Sequence, residues 1–171
     1  MNQFEPFDEF DRVVSVEMFE HMRNWEALLK RVASALAPGG HVFLHVFCHR
    51  AATYAYGTAG PEHWLGRHCF SGGMMPAQDY LRGLHLPLEV EAEWRWDGTH
   101  YQRTADAWAA NLEHRRDAVM AILESAYGRA DAQRWYRRWK IFFLACAEMF
   151  GVREGREWMV GHYRLKQDPM R

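Results

Sequence analysis

A run of strand-forming residues, Val13 to Val16, empties directly into Glu17, Glu20 and His21. Two carboxylates and an imidazole this close together can take up a proton, pass it on, or stabilise a developing positive charge. If Glu17 begins a helical turn, Glu20 and His21 at i+3 and i+4 project from the same side, and three titratable groups would face one crevice. The competing reading is that they are polar residues closing a loop, one of them bonding a backbone amide. His45 adds a second imidazole inside HVFLHVF, His41 to Phe47. A polar side chain is costly inside a strand unless it has a partner, although a satisfied core histidine is the simpler account of His45 alone. No metal site is expected: EMFEH lacks the HExxH order, and no cysteine is suitably spaced.

These residues need elements to hold them. Asp11 to Val16, DRVVSV, is short and β-branched with no helical period and reads as a buried strand. Asn24 can cap a helix in which Trp25, Leu28, Leu29, Val32, Ala35 and Leu36 recur at three- and four-residue spacing. Pro38-Gly39-Gly40 would stop that helix, and His41 to Phe47 follows as a second strand. Strand, helix, glycine turn and strand make half of a doubly wound α/β sheet, whose ligand crevice lies beyond the carboxyl ends of the strands, where EMFEH sits.

Residues 49–75 hold six glycines or prolines and read as a long loop serving as a lid or pocket wall, with one helical turn near Glu62 to Leu65. Pro76 opens a short helix through Leu84, and Leu88 to Trp96 alternates as a strand. Thr104 or Asp106 would start a long helix carrying Trp108, Leu112, Val119, Ile122 and Leu123 on its apolar side and ending at Gly128. A second runs from about Asp131 to Phe150 with Trp135, Trp139, Phe142, Phe143, Cys146 and Phe150 on one face. Gly155 to Lys166 closes the chain as a strand.

Composition narrows the function. The chain has 171 residues, 49% of them apolar, enough for one core. A formal charge of −1 with both signs interspersed argues against nucleic acid as the main partner. The most apolar run, Ile141 to Phe150, is too short to span a bilayer and carries Glu148. The acidic N-terminus lacks the marks of a signal peptide, and Cys48, Cys69 and Cys146 read as free thiols of a cytoplasmic protein.

FDRVVSVEMFEHMRNW followed by LAPGGHVFLHVFCHR resembles class I methyltransferases that use S-adenosylmethionine, specifically the cyclopropane-fatty-acid synthase superfamily. RHCFSGGMMP, HYQRTADAWAANL, WKIFFLACAEMFG and GREWMVGHY resemble its coclaurine N-methyltransferase-like branch, in the family's order. The resemblance covers essentially the whole chain and implies the C-terminal part of a Rossmann-like methyltransferase domain. Within it, residues 49–87 would form a lid insertion and residues 100–150 a helical acceptor-pocket region. The family's glycine-rich cofactor loop and its ribose-holding acidic residue have no counterpart here. Met1-Asn2-Gln3-Phe4 matches the end of a family pattern that normally continues upstream, so a longer parent enzyme is expected.

For that parent, the resemblance implies transfer of a methyl group from S-adenosylmethionine to an amine. Glu17, Glu20 and His21 would be catalytic, Val16 and Glu17 would touch the cofactor, and Trp139, Phe142 and Phe143 would wall the acceptor pocket. By helical spacing alone, those three aromatics read equally as ordinary core. In the lipid-modifying relatives a bicarbonate takes up the proton, held by a glutamate and a histidine whose positions match Glu20 and His45. Those relatives also carry a tyrosine just before CAEMF, where this chain has Trp139 to Phe143, which favours the amine reading. A third expectation is of another class: an inactive fragment, or a subunit that associates through an uncovered sheet edge and apolar face.

Overall fold

The computed structural model describes residues 8–60 and 63–168. The Met1-Asn2-Gln3-Phe4 match and Glu62 lie outside them. The chain divides into two compact units, one reaching to Trp96 and resuming at Val160, the other spanning Asp97–Met159.

The first unit is built on a four-stranded sheet in the order β1-β2-β6-β5, where β1 is Phe10–Val16, β2 Leu36–His49, β5 Leu88–Asp97 and β6 Trp158–Gln167. β1 and β2 run parallel, with Val13 opposite Val42 and Val16 opposite His45. Parallel strands need a crossover, here helix α1, Trp25–Ser34. Asn24 caps it as expected, its Oδ1 accepting from Ala27 N at 3.1 Å. Trp25, Leu28, Leu29 and Ala33 are buried in one core with Val42, Leu44 and Val46 of β2 and Tyr163 and Leu165 of β6. Burying each large aliphatic side chain contributes roughly 1.5–3 kcal/mol.

Two expectations about this region are corrected. The helix ends at Ser34, before Pro38, and β2 already starts at Leu36. Phe10 N donates to Ala35 O at 2.8 Å and Phe10 pairs with Leu36, so strand pairing captures residues whose spacing looked helical. β1 is not a buried strand. It lies at the sheet edge, where Val14 and Val16 are 65% and 56% exposed.

Between β2 and β5, the two-residue strands β3 (Tyr54–Ala55) and β4 (Met74–Met75) pair antiparallel, with helix α2 (Trp64–His68) between them. The helix expected from Pro76 to Leu84 is only a 3-10 turn, Tyr80–Gly83. Residues 76–78 instead follow β2, with His49 N donating to Pro76 O and Gln78 N to His49 O, both at 2.9 Å.

The second unit is helical. α3 spans Gly98–His114, α4 Arg116–Tyr127 and α5 Arg129–Gly151. The expected single helix from Thr104 or Asp106 therefore starts earlier and breaks at Arg115. Asp97 caps α3 by accepting from Thr99 N at 2.9 Å. Only glycine fits at 98, because a Cβ there would overlap the carbonyl oxygens of Phe150 and Trp158. The break lets both α3 and α4 lie on α5, so Leu112 and Leu123 share a cluster with Ala132 and Tyr136. Ile122, expected on the apolar side, is 67% exposed. The closing strand begins at Trp158 rather than Gly155, behind a 3-10 turn at Val152–Gly155. Among the described residues no helix is long and apolar enough to cross a membrane. Cys48, Cys69 and Cys146 form no disulfide among the described residues.

Candidate active site

At the carboxyl end of β1 the chain does not continue into a helical turn. Glu17 takes a left-handed conformation, φ 51°, while its backbone N–H bonds His45 O at 3.0 Å. A non-glycine residue in that region costs on the order of 1 kcal/mol or more, and such costs concentrate where a side chain must be aimed. The turn brings Glu17 Oε1 to 3.0 Å from His45 Nε2.

A 3-10 turn, Phe19–His21, follows and separates the other two groups. Glu20 points inward and is fully buried, while the side chain of His21 stays half-exposed. Their nearest polar atoms, Glu20 Oε1 and His21 Nε2, are 3.9 Å apart. Neither carboxyl oxygen of Glu20 has a hydrogen-bond partner among the described residues. Burial pushes the Glu20 carboxyl up from 4.5 to about 8, against a pull from its own backbone and with a lesser push from the charge of Glu17. An unsatisfied buried carboxyl destabilises the fold by a few kcal/mol, and a group titrating near physiological pH suits general acid and base work.

The turn is held from three sides. Trp25 Nε1 donates to Phe19 O at 2.9 Å and to Met22 O at 3.0 Å, and the Trp25 ring meets Phe19 edge-on at 5.1 Å. Gly73 backs directly onto it, since a Cβ there would overlap the Glu20 carbonyl oxygen. Phe70 stacks on His21 at 5.3 Å and in turn on Tyr56 at 5.0 Å. The FSGG segment, Phe70 to Gly73, is thus a wall of the polar cluster.

His45 is not a solitary core histidine. Its Nδ1 lies 3.0 Å from His162 Nε2, so both ring nitrogens are engaged within the protein. His162 is 7% exposed, stacked near Phe43 at 5.7 Å and edge-on to Trp96 at 4.9 Å. Desolvation, with the neighbouring His45, holds the His162 imidazole below its usual range against a smaller opposing pull from Glu17. Sequence reasoning missed His162, Phe70 and Trp25. The signal for His162 was there: a polar residue in the middle of WMVGHYRL, the same pattern that singled out His45.

Trp139, Phe142 and Phe143 lie on α5 in the helical unit, their ring centroids 5.6–5.9 Å apart. Phe142 packs against Ala105, Cys146 and Ala147, and Phe143 against the cluster around Leu112. Trp139 is 37% exposed. Core packing and a ring-lined surface are both present in this patch. Among the described residues no group of three or more His, Cys, Asp or Glu side chains could hold a metal ion.

Comparison with known proteins places the chain in a family. A family model described as mycolic acid cyclopropane synthetase matches residues 1–157. (S)-Coclaurine N-methyltransferase of Thalictrum flavum subsp. glaucum is 30% identical over 164 residues, covering 94% of this chain and 45% of the relative. Cyclopropane-fatty-acyl-phospholipid synthase of Escherichia coli strain K12 is 26% identical, covering 96% and 40%. A crystal structure of coclaurine N-methyltransferase bound to N-methylheliamine and SAH superposes with a TM-score of 0.88 at 28% identity, covering 96% of this chain and 48% of that one. The chain spans about half the length of the curated relatives it matches. By these matches and by its α/β, Rossmann-like fold, it belongs to the mycolic acid cyclopropane synthetase family, within the cyclopropane-fatty-acid synthase superfamily of S-adenosylmethionine-dependent methyltransferases, on the coclaurine N-methyltransferase-like branch.

Proposed function

We propose that this chain forms the acceptor side of an enzyme that methylates an amine-type small molecule, working in the cytoplasm. The observation that carries the reading is Glu20: a fully buried carboxyl with no hydrogen-bond partner among the described residues, titrating near pH 8 beside His21 and Glu17. An amine must lose its proton to expose a lone pair, and becomes cationic as it is alkylated. Glu20, poised near the working pH, would accept the amine proton, directly or through His21 at 3.9 Å. The Glu17 carboxylate would then stabilise the developing ammonium, and the wall of Phe70 and Tyr56 would keep water from it.

S-Adenosylmethionine would supply the electrophilic methyl group. Val16 and Glu17, at the carboxyl end of β1, would form one edge of its site. The described residues do not fit a complete one: the pair Gly39-Gly40 lies within β2, and Gly73 is committed to the back of the Glu20 turn. The rest of the cofactor groove would have to come from other residues. The exposed Val14, Val16, Trp94 and Trp96 and the edge strand β1 offer the sheet unit a surface for such a contribution.

The lipid-modifying alternative would need His45 to hold bicarbonate. With His45 Nε2 on Glu17 and Nδ1 on His162, neither nitrogen is free to do so without breaking a contact. The test is transfer of labelled methyl from S-adenosylmethionine by the protein in its full natural length, offered cyclic secondary amines or vesicles of unsaturated phospholipid, with and without bicarbonate. Bicarbonate-independent labelling of an amine supports the proposal. Bicarbonate-dependent labelling of lipid overturns it, and no labelling with no binding of S-adenosylhomocysteine would point to a non-catalytic subunit.

A further inference from the structure

The contacts of His45 define a line of three side chains contributed by three strands or their ends: Glu17 after β1, His45 in β2 and His162 in β6. We propose that His162 is a positioning residue that fixes the tautomer of His45 and so aims the His45 Nε2–H at the Glu17 carboxylate.

The argument is one of donors and acceptors. At 3.0 Å from His45 Nε2, Glu17 Oε1 would set its lone pairs against a bare ring lone pair unless Nε2 carries the hydrogen, although the approach is a close contact and not an aligned hydrogen bond. A neutral His45 then presents a bare lone pair at Nδ1. His162 Nε2, 3.0 Å away, satisfies it by donating its own N–H. A proton added to the pair is taken up at His162 Nδ1 while the proton between the rings passes to His45 Nδ1. His162 thus stays neutral and becomes the acceptor in the same contact, and the Nε2–H of His45 stays directed toward Glu17. His162 suits this role because burial keeps it neutral, so the two rings need not hold two charges at 3.0 Å. Its ring is fixed between Phe43 and Trp96, and the perpendicular meeting of the rings, 79° between planes, directs one nitrogen at the other.

That this matters for catalysis rests on the methyl-transfer reading, in which Glu17 faces the reacting amine. The tautomer itself does not rest on it. Long-range proton–nitrogen NMR on histidine-labelled chain at neutral pH reads the tautomer directly. In the wild type, His45 is expected with hydrogen on Nε2 and a bare, hydrogen-bonded Nδ1. His162→Phe keeps the ring packing and removes the donor, and should give His45 averaged nitrogen signals from both tautomers. His162→Gln, whose amide can reach the same point, should restore the wild-type pattern. If the Phe variant fails to fold, His162→Asn, one bond shorter than Gln, provides the contrast. Hydrogen on Nδ1 in the wild type, or identical His45 signals in the wild type and the donor-less variant, would overturn the assignment. In the full-length protein, His162→Phe should lower kcat about tenfold with KM unchanged, and His162→Gln should recover it. Altered tautomers with unaltered methyl transfer would uphold His162 as the residue that sets His45 and would overturn the use of Glu17 in the reaction.

Discussion

The sheet unit and the helical unit treat charge in opposite ways. In the helical unit the ion pairs Arg134–Asp131, Lys140–Glu113, Arg153–Glu157 and Arg156–Glu154 each have at least one exposed side chain, and the buried residues of its clusters are apolar apart from a tyrosine and a cysteine. In the sheet unit, Glu20 and His162 are buried, and Glu17 and His45 are mostly so. Surface pairs contribute little and are easily replaced. A buried carboxyl without a partner is retained against its effect on stability, and such violations of packing rules concentrate where function requires them. On the proposed reading, the contrast would put the chemistry in the sheet unit and leave shape to the helices.

The strongest way to break that contrast is to remove the Glu20 carboxylate. In the full-length protein, Glu20→Gln should lower turnover by roughly 10²–10⁴-fold, the range for loss of a general acid or base, with little change in cofactor affinity. Steady-state kinetics with a binding isotherm would check it, and unchanged turnover would remove Glu20 from the mechanism. His21→Ala should act in the same direction.

Stability against pH should show the buried acid next. The folded-state value, about 8, lies above the unfolded 4.5, so the folded chain keeps a proton that the unfolded chain loses. Below pH 4.5 Glu20 is neutral in both states and costs nothing further. As pH rises from 4.5 to 8, stability should fall, by about 1.4 kcal/mol per pH unit in mid-window, and level off above 8. Urea unfolding of wild type and Glu20→Gln across this range should show the slope in the first and a much flatter line in the second.

A smaller effect should come from Trp25→Phe, which keeps most of the ring packing but removes the indole donor from the carbonyls of Met22 and of Phe19, the latter keeping only Met22 N. A loss of about 1–3 kcal/mol in denaturant unfolding is expected. The smallest effect belongs to the helical unit: Lys140→Ala removes only the exposed pair with Glu113 and should leave the melting temperature within experimental scatter. A large shift there would blur the contrast between the units.

The sequence made some of this legible and hid the rest for physical reasons. Asn24 before an apolar 3.6-residue period is local information, and α1 starts where that information places it. The stop at Pro38 was wrong because Leu36 finds a non-local partner in Phe10, which no periodicity can reveal. The start of α3 was missed for the same kind of reason, since Gly98 looks like a helix breaker until Phe150 and Trp158 are known to lie against it. For the candidate site, the order strand, carboxylate, carboxylate, histidine was readable, but the unequal fates of Glu17 and Glu20 were not. A left-handed residue at 17 turns one carboxylate to His45 and sends the other into the core. His162, 117 residues from His45, becomes visible only when β6 lies beside β2.

Direct titration of the Glu20 side chain addresses the central claim most closely. Carbon-13 NMR of glutamate-labelled chain, with Glu20→Gln to assign the resonance, should show one carboxyl titrating near pH 8. A Glu20 carboxyl that titrates in the ordinary range near 4.5 would contradict the account, because a group already ionised well below neutrality is not the poised proton acceptor on which the methyl-transfer reading depends.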